Sequence, residues 1–142
     1  MGKVFYGTYN RSLDSKGRLQ LPSDFDCEDG DTLYVMKGLD GCISIFPEDR
    51  FIGLTERLST MDYAKAADRA FIRETLRSAK KLKVDSHGRI SLTVELLRKY
   101  SIDASVLILG SLDRFEIWDP ATYEAYEKSL DSYEALAERA GA

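Results

Sequence analysis

Two arginines, Arg18 and Arg89, occupy the same position in a motif that occurs twice in this chain of 142 residues. The copies span residues 13–22 and 84–93, 71 positions apart, and both contain Asp-x-x-Gly-Arg. A guanidinium is a planar fork of donors that can pair with guanine O6 and N7 or clamp a phosphate. The repeat therefore predicts one type of anion-binding chemistry at two equivalent places.

The residues that precede each arginine predict a tight turn. Gly17 and Gly88 can adopt positive φ at no steric cost, and aspartate carboxylates cap turns. Asp14 and Asp85 would repel an anionic partner if they pointed outward. We therefore expect both to point back, where they cap the turn amides or orient the arginine. The alternative is a plain hairpin turn whose arginine only pairs with its own aspartate.

Basic residues near the motif extend the candidate surface. Lys16 lies inside the first turn and Arg11 precedes it, so each can add a phosphate contact beside Arg18. His87 stands where the first copy has Lys16, so the second turn lacks that fixed charge. We place His87 on the same surface as a turn residue, and a pH-dependent role is the less favoured alternative.

The net charge of −4 counts against an anionic partner, but the charges are segregated along the chain. Residues 69–83 contain six basic residues and one acid, whereas residues 112–142 contain eight acids and three bases. Residues 24–31 hold five acids and no base. Because local potential governs contact, an acidic protein with a concentrated basic face can still bind a polyanion.

Arg69, Arg73 and Arg77 recur every four residues and predict one basic stripe on a helix. A solvated helix face is the favoured interpretation. The alternatives are DNA binding and pairing with the acidic C-terminal helix of a neighbouring subunit.

The composition argues against an enzyme, a metal site and a membrane protein. His87 is the single histidine, and we find no phosphate-binding glycine loop, nucleophile elbow or H-E-x-x-H motif. Cys27 and Cys42 are isolated, so we predict two reduced thiols, no metal and no cofactor. No apolar run approaches a membrane span or a secretory signal, which leads us to expect a cytosolic protein.

Hydrophobic patterning predicts the same order of elements in each half. Alternation over Val4, Tyr6 and Thr8 and then over 18–21 predicts two strands joined by the first turn. Further predicted strands lie at 32–36, 42–46, 89–92, 106–109 and 115–118, and predicted helices follow Pro47, span 61–82 and 94–100, and follow Pro120. In the helix over 61–82 we expect five inward residues: Ala64, Ala67, Phe71, Leu76 and Ala79. In the last helix we expect an apolar side of Tyr123, Tyr126, Leu130, Tyr133 and Leu136.

A four-stranded unit of this size cannot bury its apolar face alone, whereas two copies can bury theirs against each other. We therefore predict an α+β chain with a mostly β core, built as one pseudo-twofold β-barrel with external helices. The predicted division is a first repeat over 1–60, a basic linker helix over 61–82, and a second repeat with the C-terminal helix over 83–142.

The two motif copies, with the segments 37–40, 45–47 and 113–119, resemble the MraZ family of the AbrB/SpoVT-like swapped-hairpin superfamily. The resemblance spans nearly the whole chain. It implies a DNA-binding transcriptional regulator that assembles into a ring and binds short direct repeats upstream of its own division and cell-wall operon. It also implies that Arg18 and Arg89 contact double-stranded DNA, and that the protein is associated with the nucleoid.

Three features depart from the family pattern. Thr93 stands where proline is usual, so we expect the second turn to end less rigidly. His87 replaces the basic residue of the turn, and the first connector, 23–30, is unusually acidic. Two other functions stay open: an antitoxin-like protein-binding module, and a structural ring that does not bind DNA.

Overall fold

A computed structural model describes residues 2–142 of the chain. The strands are β1 (Thr8–Ser12), β2 (Arg18–Gln20), β3 (Thr32–Lys37), β4 (Ile43–Pro47), β5 (Lys80–Lys83), β6 (Arg89–Ser91), β7 (Ser105–Ser111) and β8 (Arg114–Trp118). The helices are α1 (Glu48–Ser59), α2 (Ala66–Arg77), α3 (Val94–Lys99), α4 (Pro120–Lys128) and α5 (Tyr133–Ala140). A 3-10 turn covers Ser23–Phe25. The chain is therefore α+β, with antiparallel strand pairing.

The main sheet has the order β1-β7-β8-β4-β3-β5, and β2 pairs with β6 in a separate two-stranded ribbon. This order is symmetric if each strand is exchanged for its counterpart in the other repeat. β1 pairs with β7, just as β5 pairs with β3, so the first strand of each repeat pairs with a strand of the other repeat. At the centre β4 pairs with β8. The two halves therefore form one body that neither could form alone.

The core lies between the main sheet and the ribbon, and it is built from both repeats. Leu19 and Ile90 face each other across the ribbon and are fully buried. Above them Phe5, Phe25 and Phe115 form an aromatic cluster, with ring centroids 4.9–5.3 Å apart in their three pairings. These rings belong to the same buried cluster as Leu19 and Ile90, and their burial stabilises this core.

The strand predicted over Val4, Tyr6 and Thr8 begins later than expected. Only Phe5 makes an isolated bridge, to Leu112, and the continuous strand β1 starts at Thr8. Gly7 has φ +89°, a left-handed conformation that interrupts regular strand geometry. β1 and β2 do not pair with each other across the first turn. Instead β1 pairs with β7 and β2 pairs with β6, both of which belong to the second repeat.

The helix predicted over 61–82 is wrong at both ends. α2 covers Ala66–Arg77, and the following Lys80–Lys83 forms edge strand β5. The lysine-rich segment continues the helical pattern in sequence, but its backbone pairs with β3, an outcome of tertiary pairing that local propensity does not report.

The buried face of α2 also differs from the prediction. Thr75 is the buried residue of this helix, whereas Phe71 and Leu76 are exposed, as are Ala64 and Ala67. α2 therefore presents part of its apolar surface outward.

The predicted C-terminal helix is divided into α4 and α5 by residues 129–132. Tyr123 and Tyr126 pack on Trp118, with ring centroids 4.9 and 5.3 Å from it. Tyr133 and Leu136 lie beyond the break and are exposed. The Ser132 hydroxyl accepts a hydrogen bond from the Ala135 amide, so a new helix starts at this serine.

The sheet order is open, with β1 and β5 at its two edges in the part of the chain that the structure describes. Closure into a barrel therefore stays a prediction. Among the helices of residues 2–142, none is long and apolar enough to cross a bilayer.

Candidate functional site

The first motif forms a turn in which one carboxylate organises the whole loop. Asp14 Oδ1 accepts hydrogen bonds from the backbone amides of Lys16 and Arg18, both at 2.9 Å. Asp14 Oδ2 accepts a bond of 2.6 Å from Arg18 Nε. The carboxylate thus points back into the turn, the orientation expected from the sequence. Because it engages Nε, the two terminal guanidinium nitrogens of Arg18 are left outside this bond.

The second motif repeats this geometry. Asp85 Oδ1 accepts from the amides of His87 and Arg89 at 2.9 Å, and Oδ2 accepts from Arg89 Nε at 2.9 Å. In both copies the aspartate carboxylate thus binds two turn amides and the arginine Nε, an arrangement that we call the aspartate brace. It is the same in both turns, although the residue at the turn tip is Lys16 in one copy and His87 in the other. Bracing a guanidinium reduces the side-chain entropy that it would lose on binding.

The two turns interlock through backbone hydrogen bonds. The Gly17 carbonyl accepts from the Leu92 amide at 2.9 Å, and the Gly88 carbonyl accepts from the Leu21 amide at 3.1 Å. Each turn is therefore anchored to the strand that leaves the other turn. Both glycines have φ near +75°, which requires a residue without Cβ strain.

The β2–β6 ribbon places both arginines on one outward face. Arg18 pairs with Ser91, and Gln20 pairs with Arg89, while the intervening Leu19–Ile90 pair points into the core. Arg18 and Arg89 are thus diagonal neighbours, and such pairs are typically about 7–8 Å apart. The two candidate sites predicted from the repeat are in fact one composite surface.

Sequence reasoning missed Gln20, which joins the two turns. Its Nε2 donates to the His87 carbonyl at 2.8 Å and lies 3.3 Å from the Gly88 carbonyl. The available signal was strand alternation, since Gln20 stands two residues after Arg18 and must share its face. Arg98 was also missed. It lines a groove of about 570 Å³ beside the first turn, together with Asp14 and Ser15.

The other predicted contacts occupy different positions. Lys16 and His87 stand exposed at the turn tips. Arg11 lies on β1, with its guanidinium 5.5 Å from the Tyr9 ring centroid, and donates to the Asn10 carbonyl at 3.1 Å. Thr93 is the N-cap of α3, where its hydroxyl accepts a hydrogen bond from the Leu96 amide at 3.2 Å, and a less rigid end of the second turn stays a prediction.

The basic stripe on α2 is partly used by the protein itself. Arg69 donates to the carbonyls of Ala64 and Tyr63 at 2.9 and 3.2 Å, and Arg73 lies 5.8 Å from the Tyr63 ring centroid. Arg77 pairs with Glu74 at 3.5 Å. The stripe therefore fastens the loop before α2 and leaves charge on its outer side.

The cysteines do not form a site. Cys27 and Cys42 are both free thiols, and burial raises the pKa of each, that of Cys42 to about 12. Within residues 2–142, no three His, Cys, Asp or Glu side chains come together as metal ligands.

The brace predicts an unusually acidic aspartate. Hydrogen bonds from the Arg18 amide, then from the Arg18 side chain and the Lys16 amide, lower the pKa of Asp14 from 3.8 to about 2. A lowered folded-state pKa means that ionised Asp14 stabilises the fold above pH 3.8 and that this contribution is lost as the pH falls towards 2.

We expect carboxyl-detected NMR titration to show this low midpoint. In Arg18→Ala the midpoint should rise but stay below 3.8, because the backbone amide of residue 18 is retained. A midpoint at the ordinary value in the unsubstituted protein would contradict the brace.

The fold and the site define a class: a duplicated, strand-exchanged protein that displays two braced arginines on one ribbon. A family model described as "MraZ protein, putative antitoxin-like" matches residues 4–74 and 75–141. The chain is 34% identical over 137 residues to the Transcriptional regulator MraZ of Moorella thermoacetica, with 96% of both chains covered. The corresponding proteins of Caldanaerobacter subterraneus and Syntrophomonas wolfei are 37% and 36% identical over 136 residues, with 95% coverage of both chains.

The chain therefore belongs to the MraZ family. This is a family of transcriptional regulators and not of enzymes.

Proposed function

We propose that the chain is a sequence-specific DNA-binding transcriptional regulator that contacts duplex DNA with the outward face of the β2–β6 ribbon. One observation carries the proposal: Arg18 and Arg89, both half-buried, are held by equivalent aspartate braces on the same outward face of the ribbon. Lys16 and His87, at the turn tips, are the accessory contacts of this surface, and Arg11, on β1, is an accessory phosphate contact outside the ribbon.

The dimensions of the ribbon fit one DNA groove. The major groove of B-DNA is about 12 Å wide and admits a two-stranded β-ribbon. Arginines about 7–8 Å apart on one face can enter the same groove and contact neighbouring base pairs. We therefore propose that one chain reads one short element with both turns together.

The aspartate brace is also what a plain structural turn would contain. Two features favour DNA binding over that alternative. The bond to Nε leaves the terminal guanidinium nitrogens for the bidentate contact that guanine accepts. The relatives, moreover, are named transcriptional regulators.

A single ribbon offers only about two to four phosphate contacts, which is weak at physiological salt. Linked sites can gain about 10²–10⁴ in avidity when the geometry lets several engage together. We therefore propose a ring of subunits bound to direct repeats upstream of the protein's own operon, in the cytoplasm and on the nucleoid. The exchanged strands support the swapped-hairpin barrel as the core of each subunit.

The antitoxin-like alternative expects a disordered tail that wraps a partner protein. Residues 133–140 instead form α5, so most of the C-terminal segment is already ordered. Assembly without any preference for the upstream DNA would favour the structural ring.

Equilibrium titration on the upstream region tests the proposal, with shuffled DNA of the same length as control. Each neutralised phosphate contributes about −0.9 to the slope of log affinity against log salt. We expect a slope steeper than the roughly −4 that a single ribbon allows, together with tighter binding to the native sequence. A slope no steeper than the single-ribbon value would contradict simultaneous engagement, and equal affinity for both DNAs would contradict specific recognition.

A further inference from the structure

The two ends of the β2–β6 ribbon are flanked by different segments, although the repeats that build the ribbon are related. At one end Arg18 is paired with Ser91, and β6 leads into α3. At the other end Arg89 is paired with Gln20, and β2 leads into the 3-10 turn Ser23–Phe25. The segments that follow the two strands therefore decide which charges a bound DNA strand would meet on either side of the arginines.

Lysines lie on the flank beside Arg18. Lys80 of β5 and Lys99 of α3 line a cavity of about 190 Å³, and Ser91, an exposed residue of the ribbon, lines the same cavity. Both lysines are exposed, and among the described residues neither takes part in an ion pair. Their ammonium groups are therefore available to an anion that lies over this end of the ribbon.

The other charges around this cavity do not cancel the two lysines. Glu95 is the acidic residue of its lining. Arg77 also lines the cavity, and its partner Glu74 lies 3.5 Å away, so this pair adds no net charge. The flank beside Arg18 thus keeps a net positive charge.

The segment beside Arg89 is acidic. The connector over residues 24–31 contains five acids and no base. It lies against the second turn, because the Gly30 amide donates to the Val84 carbonyl at 2.9 Å and the Val84 amide donates to the Asp31 carbonyl at 3.0 Å. Val84 is the residue that immediately precedes this turn, so the acids of the connector lie close to the second aspartate brace.

Only part of this negative charge is neutralised. Lys3 pairs with Asp31 at 3.7 Å, and the Lys83 ammonium donates to the Gly30 carbonyl at 3.4 Å. The other four acids are exposed and form no ion pair within residues 2–142: Asp24, Asp26, Glu28 and Asp29. Because like charges repel, a DNA strand is disfavoured over this connector.

We propose that the two arginines are not equivalent on DNA: Lys80 and Lys99 hold phosphates beside Arg18, whereas the acidic connector keeps the DNA backbone away from the flank beside Arg89. The inference rests on the proposed function and deepens it. Phosphate contacts fix the register and orientation of a protein on a duplex. A ribbon with two equal flanks could bind an element in either direction, whereas this charge difference selects one direction, as direct repeats require.

Salt-dependent titration on a duplex with one element tests the two lysines. Lys80→Ala/Lys99→Ala removes two phosphate contacts, so the slope of log affinity against log salt should become shallower by about 1.8, at about 0.9 per contact. At about 0.15 M salt the affinity should fall by roughly 10- to 30-fold. Lys80→Arg/Lys99→Arg should keep both the affinity and the slope, because a guanidinium also contacts phosphate.

Lys65→Ala/Lys81→Ala is the matched control, because it removes the same charge from two exposed positions that do not line the cavity. Lys65 stands at the start of α2, about 18 Å from the end that reaches the cavity. Lys81 points to the opposite face of β5 from Lys80, with its ammonium 5.9 Å from the Tyr34 ring centroid. An unchanged slope in Lys80→Ala/Lys99→Ala, or an equal change in the control, would overturn the inference.

Ethylation interference on the same duplex tests the direction of binding. We expect the phosphates whose ethylation weakens binding to extend further on one side of the element than on the other. The outermost of these phosphates should lose their effect in Lys80→Ala/Lys99→Ala. A pattern that is symmetric about the centre of the element, or outer positions that persist in the variant, would contradict the proposed direction.

Shuffled DNA of the same length separates this inference from the proposed function. Phosphate contacts carry no sequence information, so the slope should change by about 1.8 on both DNAs. That change together with equal affinity for the two DNAs refutes only sequence-specific recognition. A preference for the native element with an unchanged slope refutes only the contribution of Lys80 and Lys99. An unsubstituted protein that binds neither DNA refutes both.

Discussion

Arg18→Ala is expected to abolish specific binding to the upstream DNA while the protein stays folded and assembled. One bidentate arginine–guanine contact contributes about 1–3 kcal/mol of discrimination, and the loss is repeated in every engaged subunit. With three subunits on DNA, the affinity should fall by about 10²- to 10⁶-fold, since such contributions add for separated sites. Fluorescence anisotropy on the native sequence measures the change, and light scattering checks the assembly.

Arg57→Ala is the matched control, because Arg57 is an exposed arginine in the last turn of α1. It should bind DNA like the unsubstituted protein. Arg89→Ala should act in the same direction as Arg18→Ala, because both guanidinium groups leave one face of the ribbon. Full affinity in Arg18→Ala would refute the DNA-reading role of the ribbon.

Gly17→Ala is expected to destabilise the protein by about 2–4 kcal/mol, through left-handed backbone strain and a backbone clash. A Cβ at Gly17 would lie 2.5 Å from the Leu92 carbonyl oxygen, a group that the other repeat holds in place. Gly88→Ala is a matched comparison, since φ is +75° there and +74° at Gly17. Its Cβ would meet only the flexible Gln20 side chain, at 3.1 Å.

We therefore expect Gly88→Ala to cost about 1–2 kcal/mol, little more than the strain of its backbone conformation. Urea denaturation followed by fluorescence of Trp118 measures both variants. Equal losses for the two glycines would show that the interlocked backbone around Leu92 relaxes more easily than the structure indicates. In that case the asymmetry between the turns has no energetic consequence.

Local chemistry was readable from the sequence, whereas strand partners were not. The Asp14 and Asp85 braces follow from residue types within five positions. The orientation of the two carboxylates could be deduced because an outward-facing carboxylate would repel an anionic partner. The pairing of β1 with β7 depends on contacts about 100 residues apart, for which alternation gives no signal. The same limit explains Lys80–Lys83, where helical spacing continues into a strand because β3 offers an edge.

The candidate surface was likewise only partly predictable from the sequence. Arg18 and Arg89 could be chosen from the motif, but their presence on one face required the register in which Arg18 meets Ser91. Gln20 carries no charge and belongs to no motif, so its bridge to the His87 carbonyl was visible only once the turns had been placed side by side.

The exchange of strands within one polypeptide has a consequence for how the protein behaves at low abundance. A two-stranded ribbon assembled from two separate chains dissociates on dilution, because its stability depends on protomer concentration. Here both guanidinium groups sit on a ribbon that covalent continuity keeps together at any dilution. The paired unit is therefore present in every copy of the protein, and in the proposed ring only the number of subunits held together would depend on expression level.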